Sequence, residues 1–330
     1  MEEQLSLGCL NGPDPDVAEE MVFLPIDTID GKWVTAAGKL IAPACEGSPL
    51  SKVRRALLVQ HGLPGDQWRM DAEEKARKLA KETGDISTLL LMPGGLRRGT
   101  YKMGIGELGG PEADEFHRQR PFFFEQPFSF ERYTRALFAA MKAMRRYAPQ
   151  LESMHIAGHS YGALAALYAL RQCAKSGMPP PDCANFLSPF VQVALDTKDP
   201  DIALRVINTR VAVDESLVAP GPGSHIGVLK EVLSSLPRFY HVTQPQRNPI
   251  DWHMRAFGAR FFGEIGDLTS VVRDRCRVRV FRGEKDPYID ESHGDLIARR
   301  IGSTRTAIET VLPEDGHSLE SLDLRALVAT

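Results

Sequence analysis

Residues 158–162 read Gly158-His159-Ser160-Tyr161-Gly162. An apolar run, Met154-His155-Ile156-Ala157, precedes them, and the segment GALAALYALRQC (162–173) follows. The first flank reads as a buried strand and the second as a helix rich in Ala and Leu. G-x-S-x-G occurs often by chance, so its letters carry little weight alone. Its position carries the argument. A serine on a sharp strand-to-helix turn is forced into a strained backbone conformation, and glycines two residues either side let the chain pass closely. The turn lifts the hydroxyl above the sheet edge. The helix N-terminus then offers N–H groups and a positive dipole end to a developing oxyanion.

Working outward, apolar runs and helical patterns alternate as a βαβ architecture requires. Strands are predicted at 21–26, 33–42, 55–60, 86–92, 153–157, 184–187, 277–281 and 307–312. The runs RALLVQ (55–60) and ISTLLLM (86–92) are nearly continuous, typical of strands buried on both faces. Helices are predicted at 72–83, from an N-cap at Ser129 to about 147, at 162–173, 292–301 and 319–328. Residues 94–127 break this rhythm with glycines, an Arg-rich turn and Phe122–Phe124. Residues 191–275 hold no regular alternation, only amphipathic segments near 226–236 and 249–262.

A serine hydroxyl needs a base, and the base an orienting acid. The predicted strand 277–281 is followed by Gly283-Glu284-Lys285-Asp286, and the strand 307–312 by Pro313-Glu314-Asp315-Gly316-His317. A carboxylate and an imidazole therefore fall on the sheet edge that carries Ser160, the edge where ligands bind in open α/β sheets. His317 is the expected base. Asp286 is the favoured acid, with Glu284 and Asp290 as alternatives. His159 flanks the serine, but its side chain is expected to point away from the base position. His293 opens a helix, and His117, His225, His241 and His253 lie in irregular regions.

His61-Gly62-Leu63-Pro64-Gly65-Asp66 directly follows the strand 55–60. Proline and two glycines make a stiff turn suited to holding backbone donors. The Leu63 and Tyr161 N–H groups are the expected oxyanion donors. His61 is read as a structural, hydrogen-bonded histidine.

Together HGLPGD, GHSYG, GEKDP and DGHS resemble the α/β-hydrolases in order and spacing, over most of the chain. The resemblance implies a mostly parallel eight-stranded sheet flanked by helices, with a helical lid inserted after the sixth strand. Residues 191–275 fall where that lid would be. The core is then 1–190, with an inserted loop at 94–127, and 276–330. One departure is visible: the loop after the fourth strand, MPGGLRRGTYKMGIG, is long and basic where many relatives have a short turn. Relatives that open epoxides or displace halide carry an aspartate at the elbow, so Ser160 argues for acyl transfer instead. The expected activity is carboxylic-ester hydrolysis through an acyl-enzyme on a small-molecule acyl substrate. Thioesterase or acyltransferase chemistry, and a hydrolase-like ligand receptor, are the alternatives.

Composition narrows the class further. The chain has 330 residues, 43% of them hydrophobic and 25% charged, with a net charge of −3. This is globular composition and gives no reason to expect a nucleic-acid partner. No apolar run reaches the roughly 18 residues of a membrane span. The five cysteines contain no CxxC pair, and the N-terminus has no secretory pattern, so a reducing cytoplasm is expected. No HExxH or other metal-ligand spacing occurs. Gly104-Ile105-Gly106-Glu107-Leu108-Gly109 matches GxGxxG but joins no strand to a helix, so no cofactor is expected. Removing the 85 residues 191–275 and the 34 residues 94–127 leaves 211, which fits one α/β domain of roughly 200–250 residues.

Overall fold

A computed structural model describes residues 8–10, 14–29, 32–44, 53–62, 66–91, 130–191, 268–272, 275–286, 291–301 and 307–329. The described residues form one nine-stranded sheet with helices on both faces. The strands are β1 (Gly8–Leu10), β2 (Val17–Ile29), β3 (Lys32–Pro43), β4 (Arg55–Gln60), β5 (Ile86–Leu91), β6 (Ser153–His159), β7 (Cys183–Leu187), β8 (Arg277–Gly283) and β9 (Ala307–Leu312). The helices are α1 (Asp66–Thr83), α2 (Phe130–Tyr147), α3 (Gly162–Ser176), α4 (Thr269–Val272), α5 (Glu291–Ile301) and α6 (Arg325–Val328).

The spatial order is β1-β2-β3-β5-β4-β6-β7-β8-β9. Strands β4 to β9 pair in parallel, while β1, β2 and β3 form an antiparallel edge, with β3 antiparallel to β5. The sheet is thus mostly parallel, as expected, with the three-residue β1 as a ninth strand beyond the predicted eight. The chain steps from β4 to β5 on one side and then to β6 on the other. This reversal opens a crevice at the C-terminal ends of β4 and β6, where ligands sit in such sheets.

Alternation along the strands divides the core into two layers. In β4, Ala56 and Leu58 face α2 and α3, whereas Leu57 and Val59 face α1 and α6. Both faces are buried, which explains the unbroken apolar run. Burying a leucine here contributes about 1.5–3 kcal/mol. In α2, Tyr133, Ala136, Leu137, Ala140, Met141 and Met144 recur at helical spacing and are buried. In α3, Ala and Leu fill eight of the 15 positions, and all of these but Ala174 are buried. The small residues let this helix lie close to the sheet.

A charged network welds the antiparallel edge to α1. The Glu19 carboxylate, with no exposed side-chain surface, meets Lys39 Nζ at 2.6 Å and Arg77 Nε at 2.6 Å. Glu73 meets the same two cations at 3.0 and 3.3 Å. Burial alone would raise the Glu19 pKa, but the two cations overcome it and hold the carboxyl below its ordinary value.

Two sequence expectations need correction here. The helix α1 starts six residues earlier than predicted. The predicted closing helix 319–328 contains only Arg325–Val328 as helix. Its first turns are pre-empted: Asp315 accepts from the Ser321 N–H at 3.1 Å and from its hydroxyl at 2.8 Å. Leu319 takes φ 51°, incompatible with helix. The Asp323 carboxylate then accepts the Arg325 N–H at 2.9 Å and starts the short helix. The loop 94–127 and the N-cap Ser129 lie outside the described residues. So does the proposed lid, apart from Val191, Leu268–Val272 and Arg275. Val191, Leu268 and Val272 are buried in the core layer of α3.

Candidate active site

The site begins at the end of β6. Ser160 has φ 52°, a left-handed conformation that side chains disfavour. Two backbone bonds hold it there. The Ser160 N–H donates to the Leu187 carbonyl at 2.8 Å, and the Phe190 N–H donates to the Ser160 carbonyl at 3.0 Å. The acceptor ends β7 and the donor lies just beyond it, so the neighbouring strand and the residues that follow it fix the turn. Close backbone approach explains the glycines. A Cβ at Gly158 would meet the Gly162 carbonyl oxygen at 2.3 Å, and one at Gly162 would meet the Gln60 carbonyl oxygen at 2.2 Å. Tyr161 caps α3 and its side chain is buried. Its backbone therefore stands at the helix N-terminus, beside the serine.

Gly62 leans directly on Ser160: a Cβ there would lie 2.5 Å from the serine Cβ and 3.0 Å from its Oγ. The start of the HGLPG turn is thus packed against the elbow. Three further bonds hold it. The Tyr133 hydroxyl donates to the His61 carbonyl, Gln60 Nε2 donates to the Tyr133 carbonyl at 2.6 Å, and His61 Nδ1 lies 2.8 Å from the Gly62 carbonyl. His61 is buried, consistent with the structural role expected for it. Leu63, the other expected oxyanion donor, lies outside the described residues.

Asp286 and His317 meet at the C-terminal ends of β8 and β9. His317 Nδ1 is 2.8 Å from Asp286 Oδ2, and the Asp286 side chain has no exposed surface. The loops that carry them are bonded together, with Glu284 N–H donating to the Leu312 carbonyl at 2.9 Å and Lys285 N–H to the Asp315 carbonyl at 3.0 Å. Of the alternative acids, Glu284 is exposed, whereas the carboxylate at His317 Nδ1 is that of Asp286, and Asp290 lies outside the described residues. Ser160 itself is 7% exposed and the His317 side chain 11%, so both groups are largely withdrawn from solvent.

The expectation for His159 is overturned. Its side chain does not point away from the base. Nε2 of His159 lies 2.8 Å from the His317 carbonyl oxygen, and the two rings approach with centroids 5.1 Å apart at 52°. Period two along β6 carries the signal: His155, Ala157 and His159 share the face that packs under the C-terminal segment. Burial, and after it the charge of His317, push the His159 pKa well below its ordinary value. Tyr133 and Asp315 are two further residues that the sequence pattern did not mark. One anchors the turn after β4 and the other the segment after His317.

Among the described residues no group of three or more His, Cys, Asp or Glu side chains could hold a metal ion. No described helix is long and apolar enough to cross a membrane.

No protein-family model and no curated protein matches the chain. Solved structures match its fold. The esterase of Pyrobaculum calidifontis superposes with a TM-score of 0.50 at 15% identity, over 91% of this chain and 76% of its own. The esterase Est22 gives 0.52 at 12% identity, over 93% and 77%. Carboxyl esterase 2 from the fungus Tuber melanosporum gives 0.50 at 12% identity, over 96% and 81%. At such identities the likeness is one of fold: the chain has the α/β-hydrolase fold.

Proposed function

We propose that the chain is a serine hydrolase that cleaves a carboxylic ester through an acyl-enzyme intermediate. Ser160 is the nucleophile. His317 Nε2 takes the serine proton and delivers it to the leaving alcohol, then activates the water that releases the acid. Asp286 holds Nδ1 of His317, which sets the tautomer and stabilises the imidazolium. The Tyr161 and Leu63 N–H groups receive the oxyanion. The observation that carries this reading is the 2.8 Å pairing of Asp286 with His317, on the sheet edge that holds the strained Ser160. Nothing in the scheme calls for a metal or cofactor. We assign the expected lid to residues 191–275, which lie outside the described residues apart from Val191, Leu268–Val272 and Arg275. The burial of Val191, Leu268 and Val272 in the core supports this, because both ends of the segment are rooted beside β7 and α3.

The test is a fluorophosphonate probe followed by a panel of p-nitrophenyl esters. The wild type is expected to label at Ser160 and to hydrolyse short esters. Ser160→Ala abolishes labelling, and His317→Ala lowers kcat by at least about a thousandfold. A folded wild type that neither labels nor cleaves any ester overturns the reading. Faster transfer from a thioester to an added alcohol than hydrolysis would replace it with acyltransferase chemistry.

A further inference from the structure

The side chain of His159 ties the base loop to the nucleophile strand. This residue belongs to β6 and immediately precedes Ser160. Its Nε2 bond to the His317 carbonyl links the base to the nucleophile across a single peptide unit. Asp286, which also holds His317, arrives on β8, two strands away from β6. A route across two strands accumulates the displacement of each. A misplacement of about 1 Å can cost a hundredfold in rate.

We infer that His159 is a positioning residue for His317, holding its backbone by the Nε2–H and bracing its ring, so that base and nucleophile keep one register. The inference rests on reading Ser160, Asp286 and His317 as a triad. A carbonyl only accepts, so Nε2 of His159 carries a proton, and burial, which disfavours the charged ring, leaves Nδ1 unprotonated. Neutrality matters in this position. A second imidazolium against His317 would oppose the charge that His317 takes up in each half-reaction. Burial first, then the charges of His317 and His61, oppose protonation of His159, while its bond to the His317 carbonyl and the charge of Asp286 favour it; the opposing causes win. A leucine of similar volume would fill the same space without the bond, so packing alone does not account for an imidazole here.

The experiment has a wild-type part and a variant part. In ¹⁵N-histidine spectra of the wild type, His159 is expected to stay neutral and protonated on Nε2 while His317 titrates. Protonation on Nδ1, or titration together with His317, overturns the inference. With a p-nitrophenyl ester, His159→Leu is expected to lower kcat roughly 10- to 100-fold while KM moves by less than about threefold. The downfield proton of the Asp286–His317 pair broadens in that variant. His159→Gln, which keeps a neutral donor near the same point, is expected to recover kcat to within about fivefold of wild type and to restore the resonance. Wild-type kcat and an intact resonance in folded His159→Leu overturn the inference while leaving the triad standing. If His159→Leu does not fold, the wild-type tautomer and the Gln variant decide: a Gln variant below about a tenth of wild-type kcat overturns it. Absence of probe labelling at Ser160 in the folded wild type overturns the triad and this inference together.

Discussion

Ser160 is held in a conformation that its own chemistry does not favour. A left-handed φ costs an L-residue with a Cβ about 1–2 kcal/mol, and such strain collects at functional sites. Here the two bonds to Leu187 and Phe190 and the tight fit of Gly158 and Gly162 enforce it. Two inactive variants separate strain from chemistry. Ser160→Ala keeps a Cβ in the left-handed region, whereas Ser160→Gly removes it. Ser160→Gly is therefore expected to be more stable than Ser160→Ala by about 1 kcal/mol in urea unfolding, after the extra freedom of glycine in the unfolded chain is subtracted. Ser160→Gly less stable than Ser160→Ala by roughly 0.5–1 kcal/mol, the cost of glycine's freedom alone, would mean that the elbow stores no strain. The residue scale was also where the sequence read best for chemistry. The sharp turn at Ser160 and the meeting of Asp286 with His317 were legible because each of these residues follows a strand with a recognisable apolar run. His159 was misjudged because its neighbour across the crevice comes from 158 residues further on. No spacing along the chain encodes that meeting.

Strands and helices were legible to the extent that one face or two of them are buried. The runs 55–60 and 86–92 became β4 and β5 because both faces meet helices, and continuous apolar sequence has no other use in an open sheet. The segment 319–328 failed as a helix for a local reason: Asp315 captures Ser321 and diverts the backbone. The network of Glu19, Lys39, Glu73 and Arg77 was illegible for a different reason, since it joins β2, β3 and α1 only after they pack. It also makes a prediction. Removing one member of a buried ion pair leaves an uncompensated charge, at a cost of about 3–5 kcal/mol, whereas replacing both members with apolar groups is often neutral. Glu73 remains to hold Lys39 and Arg77, so Glu19→Gln is expected to cost about 3 kcal/mol, the low end of that range. Adding Lys39→Met should restore most of the loss. Urea midpoints of the two single variants and the double variant complete the cycle. Additive losses would show that the pair is not coupled.

Titration ties these local arrangements to the stability of the whole molecule. His155 lies on β6 under the C-terminal segment, 3% exposed, with neither ring nitrogen hydrogen-bonded. Burial is the main cause that lowers its pKa from 6.5 to about 4; Asp182 opposes this, while Arg279, Arg55 and Arg277 add to it. Between pH 6.5 and 4 the unfolded chain therefore binds a proton at this position that the folded chain refuses. Stability falls as pH drops through that window, by about 3 kcal/mol in total. His159, also pushed down, acts with the same sign. Glu19 extends the loss, since its stabilising charge is present above 4.5 and disappears as pH falls through its lowered folded value. On the alkaline side burial raises the Cys173 and Cys183 thiols from 9.0 to about 11, and Cys276 further. There the folded chain keeps protons that the unfolded chain releases, so stability falls as pH rises above 9. The expected curve is a plateau from about pH 6.5 to 9 with a loss on each side. Urea midpoints followed by circular dichroism at pH 5, 7.5 and 10 measure it. His155→Leu separates the acid limb into its parts, because it removes one titration and leaves the thiols in place. Its midpoint is expected to drop less than that of the wild type between pH 7.5 and 5, and by the same amount between 7.5 and 10. An acid limb as steep in His155→Leu as in the wild type would show that His155 does not control it.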